Sequence, residues 1–129
     1  LFGAELDCTD TPDLLPILCV AAAVAQGTTV FTGVGRLRFK ESDRLEAMRQ
    51  VLASFGVASQ VGEDTFTVFG SEPVASGVVN SFGDHRIAMS AAIMSCVAKG
   101  ITRIDNSACV AKSYPSFFED FAMLGGNVE

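Results

Sequence analysis

The sequence is short of the residues that several common sites require. It has one histidine, His85, and nine lysines and arginines against fifteen acids. With a single imidazole, a zinc site is not expected. Its four cysteines, Cys8, Cys19, Cys96 and Cys109, form no Cys-x-x-Cys pair. Cys19 and Cys96 fall in apolar runs, so buried free thiols in a reducing cytosol are expected. The most apolar stretches, Leu14 to Ala25 and Ile87 to Ala98, are too short to span a membrane. No signal peptide or basic amphipathic leader is visible within the residues of this chain, and no glycine pattern of the Walker or dinucleotide type is seen. A net charge of −6 argues against nucleic-acid binding. Membrane, nucleic acid, nucleotide and metal partners are therefore set aside, and no cofactor is expected. The chain begins at Leu1 rather than Met, which gives the expectation of a piece cut from something longer.

What is present is a core and a few concentrated charges. Apolar residues make up 49% of the chain, enough for one packed domain or part of one. Charged residues are 19%, too few for a disordered chain. The scarce cations cluster: Arg36, Arg38, Lys40 and Arg44 lie within nine positions, with Arg86 and Lys112 in two other motif-like segments. An acidic chain that gathers its cations in this way points to a small, multiply charged anion.

The pattern along the chain reads as two copies of one unit, about 8–72 and about 78–129. In the first, Thr11-Pro12-Asp13 predicts a helix start, with Thr11 as cap and Pro12 in the first turn. That helix is expected to run to about Gln26 and stop at Gly27. A strand follows at Thr28 to Thr32, then a strand-like run from Gly33 to Phe39. A second helix is expected over about Asp43 to Ser54, stopped by Gly56, with Ser42 as its possible cap. Strands at about Val57 to Val61 and Thr65 to Phe69 close the copy. In the second copy a helix follows Gly83-Asp84-His85-Arg86 to about Ala98, a strand covers Ile101 to Asp105, and Ser113-Tyr114-Pro115 opens a last helix stopped by Gly125-Gly126. Gly27 matches Gly100, and Lys40 matches Lys112. The two first helices are apolar nearly all round, which predicts burial on all sides. The strands alternate with polar residues such as Thr28, Thr65, Thr67, Thr102 and Arg103. The fold class expected is α/β (α+β), with helices inside and sheets facing solvent, the reverse of a doubly wound fold.

Each candidate site residue has a plain structural reading beside the functional one. Asp13 is either a first-turn acid on a helix dipole or a general base. Glu41 is either half of a surface ion pair or a proton carrier. His85 beside Arg86, at the mouth of an apolar helix, is expensive to bury without a purpose. Lys112 is either solvated or an anion ligand. Tyr114 and Phe117 read as packing.

Four motifs, in order, resemble the C-terminal part of the 5-enolpyruvylshikimate-3-phosphate synthase family. They are Asp10-Thr11-Pro12-Asp13 with its helix to Gly27-Thr28-Thr29, Leu37-Arg38-Phe39-Lys40-Glu41-Ser42-Asp43-Arg44-Leu45, Asp84-His85-Arg86-Ile87-Ala88-Met89, and Cys109-Val110-Ala111-Lys112-Ser113-Tyr114-Pro115. The resemblance implies the inside-out α/β barrel of enolpyruvyl transferases, in which two domains of three repeats enclose a cleft. This chain would supply two repeats of one domain and lack the N-terminal domain of the parent.

It also implies transfer of enolpyruvyl from phosphoenolpyruvate to the 5-hydroxyl of shikimate 3-phosphate, with release of phosphate, in the cytoplasm, on the route to aromatic amino acids. By that resemblance Asp13 handles the attacking hydroxyl. Lys40 contacts the shikimate phosphate and takes part in proton handling, and Glu41 protonates and later deprotonates the methylene carbon. Arg44, Arg86 and Lys112 form a phosphoenolpyruvate clamp with His85 alongside. Arg36 stands where some members have an Asn that contacts the shikimate phosphate. Rival readings are a UDP-N-acetylglucosamine enolpyruvyl transferase, a non-catalytic anion-binding module, and an oligomer formed through a bare face.

Overall fold

A computed structural model describes residues 1–74 and 77–129. Its first half is a four-stranded sheet with two helices. Strand β1 (Glu5–Asp7) leads through a 3-10 turn, Pro12–Leu14, into helix α1 (Leu15–Val24) and then strand β2 (Thr28–Thr32). A second 3-10 turn, Gly35–Phe39, precedes helix α2 (Arg44–Ser54), and the hairpin β3 (Ser59–Val61) and β4 (Thr65–Phe69) follows. The sheet order is β1-β2-β4-β3, with β1 parallel to β2 and the other pairs antiparallel. The second half has β5 (Val78–Asn80), α3 (His85–Ser95), β6 (Arg103–Asp105), a 3-10 turn at Ser107–Lys112, and α4 (Phe117–Met123). β5 and β6 form a parallel pair.

Each apolar helix is thus the crossover between two parallel strands, β1 to β2 through α1 and β5 to β6 through α3. The sequence pattern begins each unit at its helix and misses the strand before it. β1 and β5 are three residues long, and β1 is exposed throughout, so neither carries a hydrophobic alternation to read.

The core lies between the helices and the inner face of the first sheet. Phe31 on β2 is paired in register with Phe66 on β4, and both are fully buried. Leu15, Leu45, Met48, Leu52, Phe55, Ile87 and Met94 close around them. Burying such a side chain contributes roughly 1.5–3 kcal/mol. On the outer face Thr28 is exposed and Thr65 and Thr67 are half-buried, as the alternation predicts.

Several local expectations are corrected. α1 starts at Leu15, and the side chain of Thr11 makes no capping bond. Pro16 explains the delay: it has no N–H to give to the carbonyl four residues back, so the chain takes a 3-10 turn in which the Leu15 N–H bonds Pro12. The run Gly33 to Phe39 is no strand. Gly33 adopts φ +72 and turns the chain, Leu37 is buried, and the Arg38 guanidinium folds back onto the carbonyls of Gly35, Gly62 and Glu63. Asp43, not Ser42, caps α2, accepting from the Glu46 N–H at 3.2 Å.

α1 and α3 end at Val24 and Ser95, earlier than expected, so Cys96 is exposed while Cys8, Cys19 and Cys109 are buried. α4 begins at Phe117, not Ser113. Tyr114 packs edge-on against the Phe117 ring. α3 buries residues around most of its circumference, but α1 exposes Ile17 and Val24, so it is not enclosed on all sides within this chain. Among the described residues no helix is long and apolar enough to cross a membrane.

Candidate active site

The candidate residues lie in the connections that leave the C-terminal ends of the four parallel strands. Asp13 follows β1, Lys40 to Arg44 follow β2, Asp84 to Arg86 follow β5, and Lys112 follows β6. Ligands of α/β sheets commonly bind beyond these ends, where helix N-termini also converge.

Arg44 is the centre of the cluster. Its side chain is 2% exposed and meets three carboxylates. Nε donates to Asp84 Oδ2 at 2.8 Å and Nη2 to Asp84 Oδ1 at 3.3 Å. Nη1 donates to Asp13 Oδ1 at 3.0 Å, and Nη2 to Glu41 Oε2 at 2.5 Å. Lys40 Nζ lies 3.6 Å from the same Asp13 oxygen. The 3-10 turn forced by Pro16 places Asp13 here, outside the regular helix. A planar, delocalised fork that is always charged suits such a buried junction.

Asp84 is fully buried and satisfied by four donors. Arg44 supplies two bonds, the Ser42 hydroxyl donates at 2.8 Å, and the Arg86 N–H donates at 3.0 Å. The last bond also caps α3. Burial pushes the Asp84 carboxyl up, but the bonds from Arg44 and Ser42, the Arg44 charge and the Arg86 N–H together hold it below its ordinary value. Asp84 and Ser42 are functional neighbours that the candidate residues do not include. An acid opening an apolar helix beside a His-Arg pair is the signal that points to Asp84.

His85 is 8% exposed and bridges two connections. Its Nδ1 meets the Ser113 hydroxyl, and its Nε2 lies 4.0 Å from Glu41 Oε1. Lys112 is exposed, and its Nζ donates to the Gly83 carbonyl at 2.9 Å. Arg86 is half-buried, and no hydrogen bond or ion pair of its guanidinium is seen among the described residues. Arg36 sits at the rim, with Nη2 donating to the Thr9 carbonyl, apart from the Arg44 cluster.

The cations first grouped by sequence therefore divide. Arg38 is tied to backbone carbonyls of the β3–β4 hairpin, and Arg44 is held by carboxylates. Lys40 pairs with Asp13, Arg36 and Lys112 donate to backbone carbonyls, and the Arg86 guanidinium meets no partner seen among the described residues. Glu41, Asp84 and His85 place donor atoms within 4.8 Å of one another, a spacing that suits a metal ion. The Arg44 fork already binds both oxygens of Asp84 and one of Glu41, so two of the three groups are already paired with a cation.

The chain superposes on solved enolpyruvyl transferases. EPSP synthase from Acinetobacter baumannii matches with a TM-score of 0.85 and 37% identity, over 92% of this chain and 28% of that one. The enolpyruvyl transferase NikO from Streptomyces tendae matches with a TM-score of 0.79 over 100% of this chain and 29% of that one, at 24% identity, a likeness of fold alone. The fold is thus that of the enolpyruvyl transferases.

Sequence narrows the class. The model of the EPSP synthase family (3-phosphoshikimate 1-carboxyvinyltransferase) matches residues 1–121. Proteins named 3-phosphoshikimate 1-carboxyvinyltransferase from Methanopyrus kandleri and Clostridium acetobutylicum are 43% and 44% identical over 125 and 126 residues, 97% and 98% of this chain. The chain belongs to the EPSP synthase family. It spans 29% of the length of these two relatives.

Proposed function

We propose that this chain carries one wall of an enolpyruvyl-transfer site. The reaction is transfer of the enolpyruvyl group of phosphoenolpyruvate to the 5-hydroxyl of shikimate 3-phosphate, with release of phosphate through a tetrahedral intermediate. The observation that carries the reading is the buried Arg44 holding Asp13, Glu41 and Asp84 together, with Lys40, Arg86 and Lys112 around it.

Asp13 takes the proton of the attacking hydroxyl, and its contacts with Arg44 and Lys40 hold its carboxylate in place. Glu41 gives a proton to the methylene carbon and later removes one. Arg86 and Lys112 clamp the phosphoenolpyruvate anion, with His85 alongside. Arg44 serves the clamp by ordering the carboxylates, and it reaches the substrate only as Glu41 or Asp13 yields a bond. Lys40 and Arg36 face the phosphate of the second substrate. Preset cations of this kind also stabilise the charge that develops in the transition state. The chain divides into repeats of about 8–72 and about 78–129, supported by the two parallel pairs with their crossover helices. The parent works in the cytoplasm together with an N-terminal domain that completes the site.

Phosphate release by the purified 129-residue chain with both substrates is expected to stay below detection, because half of the positioning groups lie elsewhere. Turnover with contaminating enzyme excluded would overturn this division of the site. Titration with phosphoenolpyruvate, and with shikimate 3-phosphate separately, tests the anion-binding-module rival, which saturates at useful affinity where a half-site binds weakly or not at all.

A further inference from the structure

Ser113 has no part in the scheme above. It follows the 3-10 turn Ser107–Lys112 and is exposed, yet its hydroxyl meets Nδ1 of the buried His85. The far side of that ring, Nε2, lies 4.0 Å from Glu41 Oε1. The single histidine of the chain therefore stands between a solvent-facing hydroxyl and the carboxylate assigned to proton transfer. Ser113 is itself held: its N–H donates to the Val110 carbonyl at 3.1 Å, and the adjacent Lys112 anchors to Gly83 at 2.9 Å.

The chemistry of the two neighbours sets the ring. An ionised carboxylate only accepts, so a neutral imidazole facing Glu41 keeps its proton on Nε2. Nδ1 is then bare and accepts from the Ser113 hydroxyl, which can donate. Which nitrogen of a histidine carries the proton is fixed by what the other nitrogen meets.

We propose that Ser113 is a positioning residue for Glu41, acting through His85. It fixes the rotation and tautomer of the ring so that Nε2–H points at the carboxylate. The same line can move a proton. As the 4.0 Å gap closes to hydrogen-bond length, Nε2 gives its proton to Glu41, Nδ1 takes the Ser113 hydroxyl proton, and the hydroxyl takes one from a solvent hydronium ion. One proton enters, one reaches Glu41, and the ring is left protonated on Nδ1. The return leg reverses each step. This inference rests on the acid/base reading of Glu41.

The test is nitrogen-15 NMR of the imidazole in the 129-residue chain, at a pH where the ring is neutral. One histidine makes its signals unambiguous. The expected result is an Nε2–H tautomer with Nδ1 shifted as a hydrogen-bond acceptor. Ser113→Ala should move Nδ1 toward the free-acceptor position, Ser113→Thr should restore it, and Glu41→Gln should move Nε2. An Nδ1–H tautomer in the unsubstituted chain, or coincident spectra for the chain and Ser113→Ala, overturns the proposal. If the Ala variant does not fold, Glu41→Gln decides: an unmoved Nε2 overturns it equally. No substrate enters the measurement, so its failure is distinct from a failure to bind phosphoenolpyruvate.

Discussion

Arg44 and Asp84, 40 positions apart in sequence, form a buried two-point ion pair, Nε to Oδ2 at 2.8 Å and Nη2 to Oδ1 at 3.3 Å. The pair joins the start of α2 to the start of α3. It locks the two halves of the chain together at the place where the candidate acid/base groups gather.

Removing one partner of a buried pair leaves a charge without compensation. Asp84→Ala also deletes the cap of α3. Urea unfolding is expected to show a loss of about 3–5 kcal/mol. Asp84→Asn keeps a capping oxygen and should lose less. A change within about 0.5 kcal/mol for the Ala variant, the range of an ordinary surface substitution, would mean that Asp13 and Glu41 alone hold Arg44.

Acid should weaken the fold through the same carboxylate. The Asp84 carboxyl lies below its ordinary 3.8, so near that pH the unfolded chain binds more protons than the native one. Stability therefore rises with pH there. The contribution is complete above the ordinary value and is lost as pH falls through the lowered one. Glu46, lowered to about 2 by hydrogen bonds from Arg49 and Gln50, acts in the same direction. Its pair with Arg49 is exposed, so its share is small. Unfolding followed from about pH 5 downward should show a shallower acid limb for Asp84→Asn than for the unsubstituted chain. Equal slopes contradict the assignment.

Phe31 and Phe66 face each other across β2 and β4 with no exposure. Phe66→Ala should destabilise the chain by about 3–5 kcal/mol. Phe69, on the same strand but 41% exposed, is the control, and Phe69→Ala should lose clearly less. Comparable losses would place the core elsewhere.

Gly70 permits a close approach. A Cβ there would lie 1.8 Å from the Ala25 carbonyl oxygen, a backbone atom that cannot swing away. Gly70→Ala should lower stability by about 1–3 kcal/mol, the scale of overpacking. Thermal melting that matches the unsubstituted chain would show that the end of α1 shifts freely from β4.

The elements legible in the sequence are those with a long pattern or an explicit stop. α2 has an amphipathic run, an acid at its start and Gly56 at φ +77 beyond its end. β4 alternates cleanly. β1 and β5 are too short to carry a pattern, and the Gly33–Phe39 run folds as a turn because of contacts from Arg38 to a distant hairpin. In the site, the candidates Asp13, Glu41 and Arg44 meet, although 31 positions separate the first from the last. What sequence could not give is the use of each charge. Arg44 looks like a free anion ligand until its three carboxylates are seen, and Asp84 looks like a helix cap until its burial is known.

The central claim is that this wall binds phosphoenolpyruvate through Arg86 and Lys112 beside His85. Its most direct test is titration of phosphoenolpyruvate into the nitrogen-15-labelled chain while following the Arg86 and His85 side-chain signals. A half-site should give saturable shifts of both at roughly millimolar ligand, about 4 kcal/mol of binding, and Arg86→Ala should abolish the His85 shift. Signals that stay still, or a His85 shift that survives in Arg86→Ala, would contradict the claim.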